Sequence, residues 1–158
     1  MTQDCLIVSE EFLVPVPAVF LWSILVDLPQ YHLWNPLNRR IESTLQPGDP
    51  VRLWVRDPRE PDREDIYVHH VVLHIPAHQL SWEYRKGEIH TRRDQYVRAN
   101  GPGSCSYFTT DRFFGATGAV LCETYGPSVK RSFNALGAAL QRHAMLTYAR
   151  HEVRERDS

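Results

Sequence analysis

Residues 25–37 read LVDLPQYHLWNPL. Two prolines, a Tyr, a His, a Trp and an Asn follow directly on an amphipathic stretch, and the segment fits neither a regular helix nor a strand. Upstream, Val16, Phe20, Ile24 and Leu28 recur every fourth residue, joined by Val19 and Leu25. That spacing predicts one apolar helix face. Pro17 suits the first turn of such a helix and Pro29 stops it. A second helical turn is expected over Gln30–Trp34, closed by Pro36. The stretch is thus a helix–break–helix corner: its prolines fix the chain direction, and its aromatics give a short segment enough apolar area to anchor itself.

Outward from the corner the pattern changes. Residues 5–14, CLIVSEEFLV, predict a strand ended by Pro15 and Pro17. After Arg39, Ile41–Leu45 and Val51–Val55 flank the turn Gln46-Pro47-Gly48-Asp49-Pro50, a hairpin signal. Residues 57–65, DPREPDRED, read as a charged loop tip that is either solvated or a lid. Strands follow at Ile66–Ile75, Leu80–Tyr84, Ile89–Ala99 and Cys105–Phe114, with a turn at Asn100–Gly103. Val129, Phe133, Leu136, Leu140, His143 and Thr147 then mark a long amphipathic helix from about Pro127 to about Glu152. Gly137 weakens it slightly. Its start, at Pro127 or nearer Val120, stays open. Strands joined by short turns make an antiparallel sheet, and the helices must cover one face of it. The class is α+β.

Composition sets the outer bounds. The 158 residues, 42% hydrophobic and 23% charged, suit one domain over 1–158 that buries enough surface to need no staples. A net charge of -1 gives no reason to expect nucleic acid. No apolar run is long enough for membrane insertion. The N-terminus MTQDCLIVSEEF lacks the basic start of a signal peptide. The three cysteines, Cys5, Cys105 and Cys122, are widely spaced and odd in number, so reduced thiols and a cytoplasmic location are expected. Eight histidines invite a metal reading. However, His70, His74 and His78 diverge by ~13 Å per four residues along a strand. No carboxylate has ligand spacing, so no metal and no cofactor are expected.

The segments VPAVFLWSILVDLPQYHLWNP, LQPGDPVRLWV, HQLSWEY and GSCSYFTTDRFFG resemble, in order and spacing, the START/Bet v 1-like (SRPBCC) superfamily, in particular its polyketide cyclase/dehydrase-like branch. The matching positions are Asp27, Tyr31, Trp34, Asn35, Pro36, Gly48, Asp49, Leu80, Trp82, Asp111, Phe113 and Gly115. The resemblance implies a helix-grip fold. A seven-stranded antiparallel sheet would wrap around the long C-terminal helix, with two short helices between strands 1 and 2. It also implies a cavity between sheet and helix, with the Asp27–Pro36 corner plugging one end. Fold alone does not assign an activity.

Period-2 alternation then gives inward faces. Leu80, Trp82 and Tyr84 share one; Cys105, Tyr107, Thr109, Asp111 and Phe113 another; Tyr67, His69, Val71, Leu73 and Ile75 a third. On the strand 89–99, His90, Arg92, Asp94, Tyr96 and Arg98 are taken as inward, although Ile89 and Val97 lie on the other parity. The candidate ligand-binding set is Trp34, Trp54, His69, Trp82, Tyr84, Tyr96, Tyr107, Thr109, Phe113, Phe133, Leu136 and Leu140. Candidate acid/base residues are His90, Tyr96, Asp111 and His143. Asp111 is read either as a structural hydrogen-bonding group or as a general base, His143 as a core histidine or a pocket acid/base, and Trp34 as packing or ligand contact.

The expected function is binding of a hydrophobic small molecule, polyketide-like, aromatic or lipid. The alternatives are a polyketide aromatase/cyclase or dehydratase, and a non-catalytic lipid or quinone chaperone. The protein is expected to be a monomer or homodimer.

Overall fold

The computed structural model describes residues 4–57 and 59–158, with the side chain of Asp57 excepted. In it the corner is organised by its own side chains. Helix α1, Ala18–Leu25, has Pro17 as N-cap and buries Leu21, Trp22, Ile24 and Leu25. Val19, assigned to the apolar face by spacing, is instead 70% exposed. A 3-10 helix follows at Leu28–Leu33, with Pro29 in its first turn. The Tyr31 hydroxyl donates to the Leu25 carbonyl and ties this helix to the end of α1. Asn35 is buried, and its Oδ1 accepts the N–H groups of Leu37 at 2.9 Å and Asn38 at 2.8 Å. This Asx-type turn redirects the chain into the sheet.

The strands are β1 (Cys5–Val8), β2 (Phe12–Val14), β3 (Arg40–Glu42), β4 (Pro50–Asp57), β5 (Glu60–Ile75), β6 (Gln79–Lys86), β7 (Ile89–Ala99) and β8 (Cys105–Phe113). They form one antiparallel sheet in the order β1-β8-β7-β6-β5-β4-β3, with β2 also on β8. The single strand expected over 5–14 is therefore broken at Ser9–Glu11. There the Ser9 N–H donates to the Thr109 carbonyl at 2.9 Å, and its Oγ accepts the Thr109 N–H at 3.0 Å. Polar residues that take the ladder's bonds onto a side chain bend the strand without ending it. With β1 and β2 taken as one bent strand, the sheet has the seven strands of the helix-grip fold, and α1 and the 3-10 helix lie between the first and second.

Helix α2 runs from Gly115 to Arg156, a full 42 residues. Its start is well before Pro127, which sits inside it at the loss of one backbone bond. Gly115, at φ 71, turns the chain off β8 straight into the helix. Tertiary contact holds the N-terminal part against the break signal of Gly126-Pro127. Cys122 packs with Ile7 and Phe113 and is disulfide-bonded to Cys5. This pairing corrects the expectation of three reduced thiols. Cys105 alone is free, and its burial pushes the thiol up to about 11.

Further along α2, Leu136, Ala139, Leu140 and Ala144 join Leu21, Leu25, Val51, Leu53, Leu80, Trp82 and Tyr107 in the main core. Gly137 has a packing role: a Cβ there would run into the ring of Phe12. The charged stretch after Asp57 is not the loop that was expected. β5 begins at Glu60, and Arg56 pairs with Glu64 across a bulge that takes up Pro61–Arg63. Among the described residues, only β4 pairs with β5 before His70, so the other edge tolerates a proline. Pro58 lies outside the described residues, as do residues 1–3 of the N-terminal reading.

Candidate functional site

Five adjacent strands, α2 and the corner line an open-sided cavity of about 160 Å³. β4 supplies Leu53 and Val55, β5 Tyr67 and His69, β6 Trp82, β7 Thr91 and Arg93, and β8 Asp111. Phe133 of α2 and Leu37 and Asn38 of the corner complete the lining. The register explains the set. Trp82 faces Arg93 across β6 and β7, and Arg93 faces Asp111 across β7 and β8, so all three project to one side.

This corrects the inward face assigned to β7. Arg93, Gln95 and Val97 are buried, whereas Arg98 is exposed. His90 and Tyr96 lie on the outer face. His90 pairs with Glu83 at 2.6 Å and stacks on Phe114 at 4.0 Å, and Tyr96 stacks on Phe108 at 4.7 Å. A bulge between Val71 and Leu73 likewise flips the parity of β5. His74, not Leu73 or Ile75, then points inward, against Trp22 and the Leu45 carbonyl.

Electrostatics set the cavity apart. Arg93 is 8% exposed. Its Nε donates to Thr109 Oγ1 at 3.2 Å, and its guanidinium lies 4.6 Å from the Phe133 ring and 5.7 Å from the Trp82 ring. Among the described residues, the ion pairs of β7 and β8 are His90–Glu83, Arg92–Asp94 and Arg112–Asp4, and none includes Arg93 or Asp111. Burial is the main reason the Asp111 carboxyl is pushed up to about 7; nearby Arg93 opposes this and Asp94 reinforces it. Burial likewise pushes the His69 imidazole down to about 4, with Arg93 adding to the effect. Between those values the acid keeps its proton and the base stays without one, the reverse of their order in water.

Buried polar atoms are normally paired. Here Arg93 Nη2, Gln95 Nε2 and Asp111 Oδ1 have no hydrogen-bond partner and share this inner face, while a further unpaired atom, Trp34 Nε1, lies outside it. The arrangement offers a fixed cation, a carboxyl that titrates near neutrality and a neutral imidazole within an aromatic and aliphatic wall. Among the described residues, no three His, Cys, Asp or Glu side chains gather as a metal set.

The other expected site residues divide by place. Trp82, His69, Asp111 and Phe133 line the cavity. Tyr84 stands at its edge, with its ring 5.0 Å from His69. Thr109 is buried behind Arg93, donating to the Asp94 carbonyl at 2.9 Å. Tyr107 is buried with its hydroxyl donating to Gln95 Oε1 at 2.7 Å, and Leu136 and Leu140 are core. Phe113 belongs to the separate cluster around the disulfide. Trp54 faces outward beneath the Arg40 guanidinium, 4.1 Å above its ring, because Val51, Leu53 and Val55 own the inner parity of β4.

Trp34 and His143 do meet, with rings 6.2 Å apart and 19° from parallel, but outside the sheet cavity. They line a second pocket of about 410 Å³ between α1, the 3-10 helix and the C-terminal part of α2. Burial, with the charge of Arg150, lowers the His143 imidazole. Sequence reading missed Arg93, Thr91, Leu37, Asn38, Leu53 and Val55 as lining residues. For Leu53 and Val55 the alternation in VRLWV was the available signal. For Arg93 it was the register imposed by Asp111.

No family model matches the chain, and no curated protein does. Solved structures do. Norcoclaurine synthase from Thalictrum flavum, a point mutant in complex with a transition state analogue, is 14% identical with a TM-score of 0.67, over 94% of this chain and 98% of that one. The Zhui aromatase/cyclase from Streptomyces sp. R1128 is 17% identical with a TM-score of 0.69, over 90% and 94%. A START superfamily protein from Mycobacterium smegmatis is 16% identical with a TM-score of 0.61, over 87% and 97%. The chain has the START/Bet v 1-like helix-grip fold.

Proposed function

We propose that the protein binds a small, largely apolar ring compound in the cavity between the sheet and α2, acting as one ligand-binding domain over residues 1–158. The observation that carries this reading is a hydrophobic wall of Leu53, Val55, Trp82 and Phe133 around the polar ends of His69, Arg93 and Asp111. An apolar wall with a few fixed polar groups is the usual make-up of a small-molecule site. Volume narrows the class. An apolar cavity of about 150 Å³ accepts benzene, whereas drug-sized ligands occupy roughly 300 Å³ or more. An aromatic ring suits the cavity as it stands; a polyketide chain or a lipid would need it to enlarge. Thermal unfolding with and without phenol tests the reading, since a ligand of the native state raises its stability. Phenol should raise Tm in the unaltered protein and fail to do so in Val55→Trp, which fills the cavity. An equal shift in both would place binding elsewhere.

A second reading, proton-transfer catalysis of a cyclisation or dehydration, is favoured by one observation: a carboxyl pushed towards neutrality and a neutral imidazole line the same cavity. Asp111 would then move a proton at a bound ring or carbonyl. In that case Asp111→Asn should lower turnover by about 100-fold while ligand affinity changes little.

A further inference from the structure

We infer that the molecule taken up by this cavity is a single-ring organic monoanion, a carboxylate, phenolate or enolate, whose charged oxygen sits on the Arg93 guanidinium. The inference rests on the proposed use of the cavity as a binding site and adds the charge of its occupant.

Arginine stays charged in any protein environment, and a buried cation without a counter-charge is unfavourable. Arg93 is buried at 8% exposure, and among the described residues no carboxylate pairs with it. Its polar protein contacts are neutral hydroxyls, those of Thr109 and Tyr107, and its flanks are the faces of Phe133 and Trp82. Nη2 has no acceptor.

Asp111, directly opposite, does not serve as the resident counter-ion. It makes no ion pair with Arg93, and burial keeps its proton in place to near neutrality, whereas a carboxylate neutralising Arg93 would be driven down. His69 contributes no charge, and the Tyr107 hydroxyl gives its proton to Gln95. The lining therefore carries an excess positive charge beside a donor without an acceptor, in a space for one ring. A planar carboxylate or a phenolate oxygen matches the guanidinium edge with charge-assisted bonds, and its ring matches the aromatic wall.

Titration calorimetry on the full chain at pH 5.5, where Asp111 holds its proton and His69 is neutral, and at constant ionic strength, with sodium benzoate, its uncharged analogue toluene and benzylamine, tests this. Benzoate should bind at least about tenfold more tightly than toluene, a difference of about 1.4 kcal/mol. Arg93→Met should abolish that preference and keep toluene binding. Toluene binding as tightly as benzoate would overturn the anion inference and leave the proposed binding function standing. Benzylamine binding more tightly than benzoate would overturn it as well. Failure of all three probes would sink the binding function itself. Should Arg93→Met not fold, the relative affinities of the three probes for the unaltered protein still decide the sign of the charge preference.

Discussion

Arg93 on β7 and Asp111 on β8 oppose each other directly in the sheet register and line the same cavity, yet form no ion pair. A buried guanidinium and a buried carboxyl side by side would ordinarily neutralise each other. Here desolvation outweighs their attraction, and the carboxyl keeps its proton towards neutral pH. The pair thus presents a cation and a neutral acid to whatever occupies the cavity.

Asp111 makes the stability of the fold depend on pH. Its carboxyl titrates at about 7 in the folded chain against an ordinary 3.8. Between those values the native state binds more protons than the unfolded one, so stability is greatest below the lower value and is lost as pH rises through the higher. Asp111→Asn keeps the shape without the charge. It should stabilise the protein at pH 8 by roughly 1–3 kcal/mol, with a smaller gain at pH 5. Urea unfolding at both pH values measures this. An equal effect at both would mean a hydrated, ordinary carboxylate.

His69 gives a prediction of opposite sign. Its imidazole is held at about 4 against 6.5. In that interval the unfolded chain binds more protons, so this contribution is present above the ordinary value and is lost as pH falls through the lower one. Ring-proton NMR should show His69 neutral at pH 5.5, with Arg93→Met raising its midpoint by removing a like charge. A midpoint at the ordinary value would show a ring in contact with bulk water.

Gly137 sits in mid-helix, where alanine would normally add about 1 kcal/mol. The ring of Phe12 occupies the space a Cβ would take. Gly137→Ala should therefore lower Tm, because overpacking costs about 1–3 kcal/mol. Adding Phe12→Leu should recover part of the loss. A rise in Tm from Gly137→Ala alone would show that β2 moves aside freely.

The Cys5–Cys122 bridge joins residues 117 apart in sequence and fastens β1 to the first part of α2. Intact mass under non-reducing conditions should be two hydrogens below the fully reduced value. Cys122→Ser should destabilise the chain by about 2–5 kcal/mol. Buried Cys105 should resist alkylation until the protein unfolds. Rapid labelling of all three thiols in the native state would contradict the pairing.

The legibility of the chain followed the kind of signal each segment carries. The corner, the hairpin around Pro47-Gly48 and the apolar stripe of α2 are written in neighbouring residues and formed near where they were expected, although β3 stops at Glu42 instead of reaching Leu45. β7 was misassigned for a chemical reason. Its inner face carries Thr91, Arg93, Gln95 and Val97, and its outer face is equally polar. Alternation reports burial only where the interior is apolar. At this strand the interior is the polar part of the cavity, so the pattern went silent where the chemistry lies.

By itself, then, the sequence determined the α+β class, the element order and the helix–break–helix corner, because periodicity, proline and turn chemistry act over a few residues. It also marked Asp111, Trp82 and His69 as inward. Only the tertiary structure decided that Arg93 stands among them, that His90, Tyr96 and Trp54 face out, and that Trp34 and His143 share a different pocket. It alone joined Cys5 to Cys122 and carried α2 through Pro127 to Gly115. These outcomes depend on register, on bulges such as that between Val71 and Leu73, and on desolvation. Each is a relation between residues far apart in the chain, which no local pattern encodes.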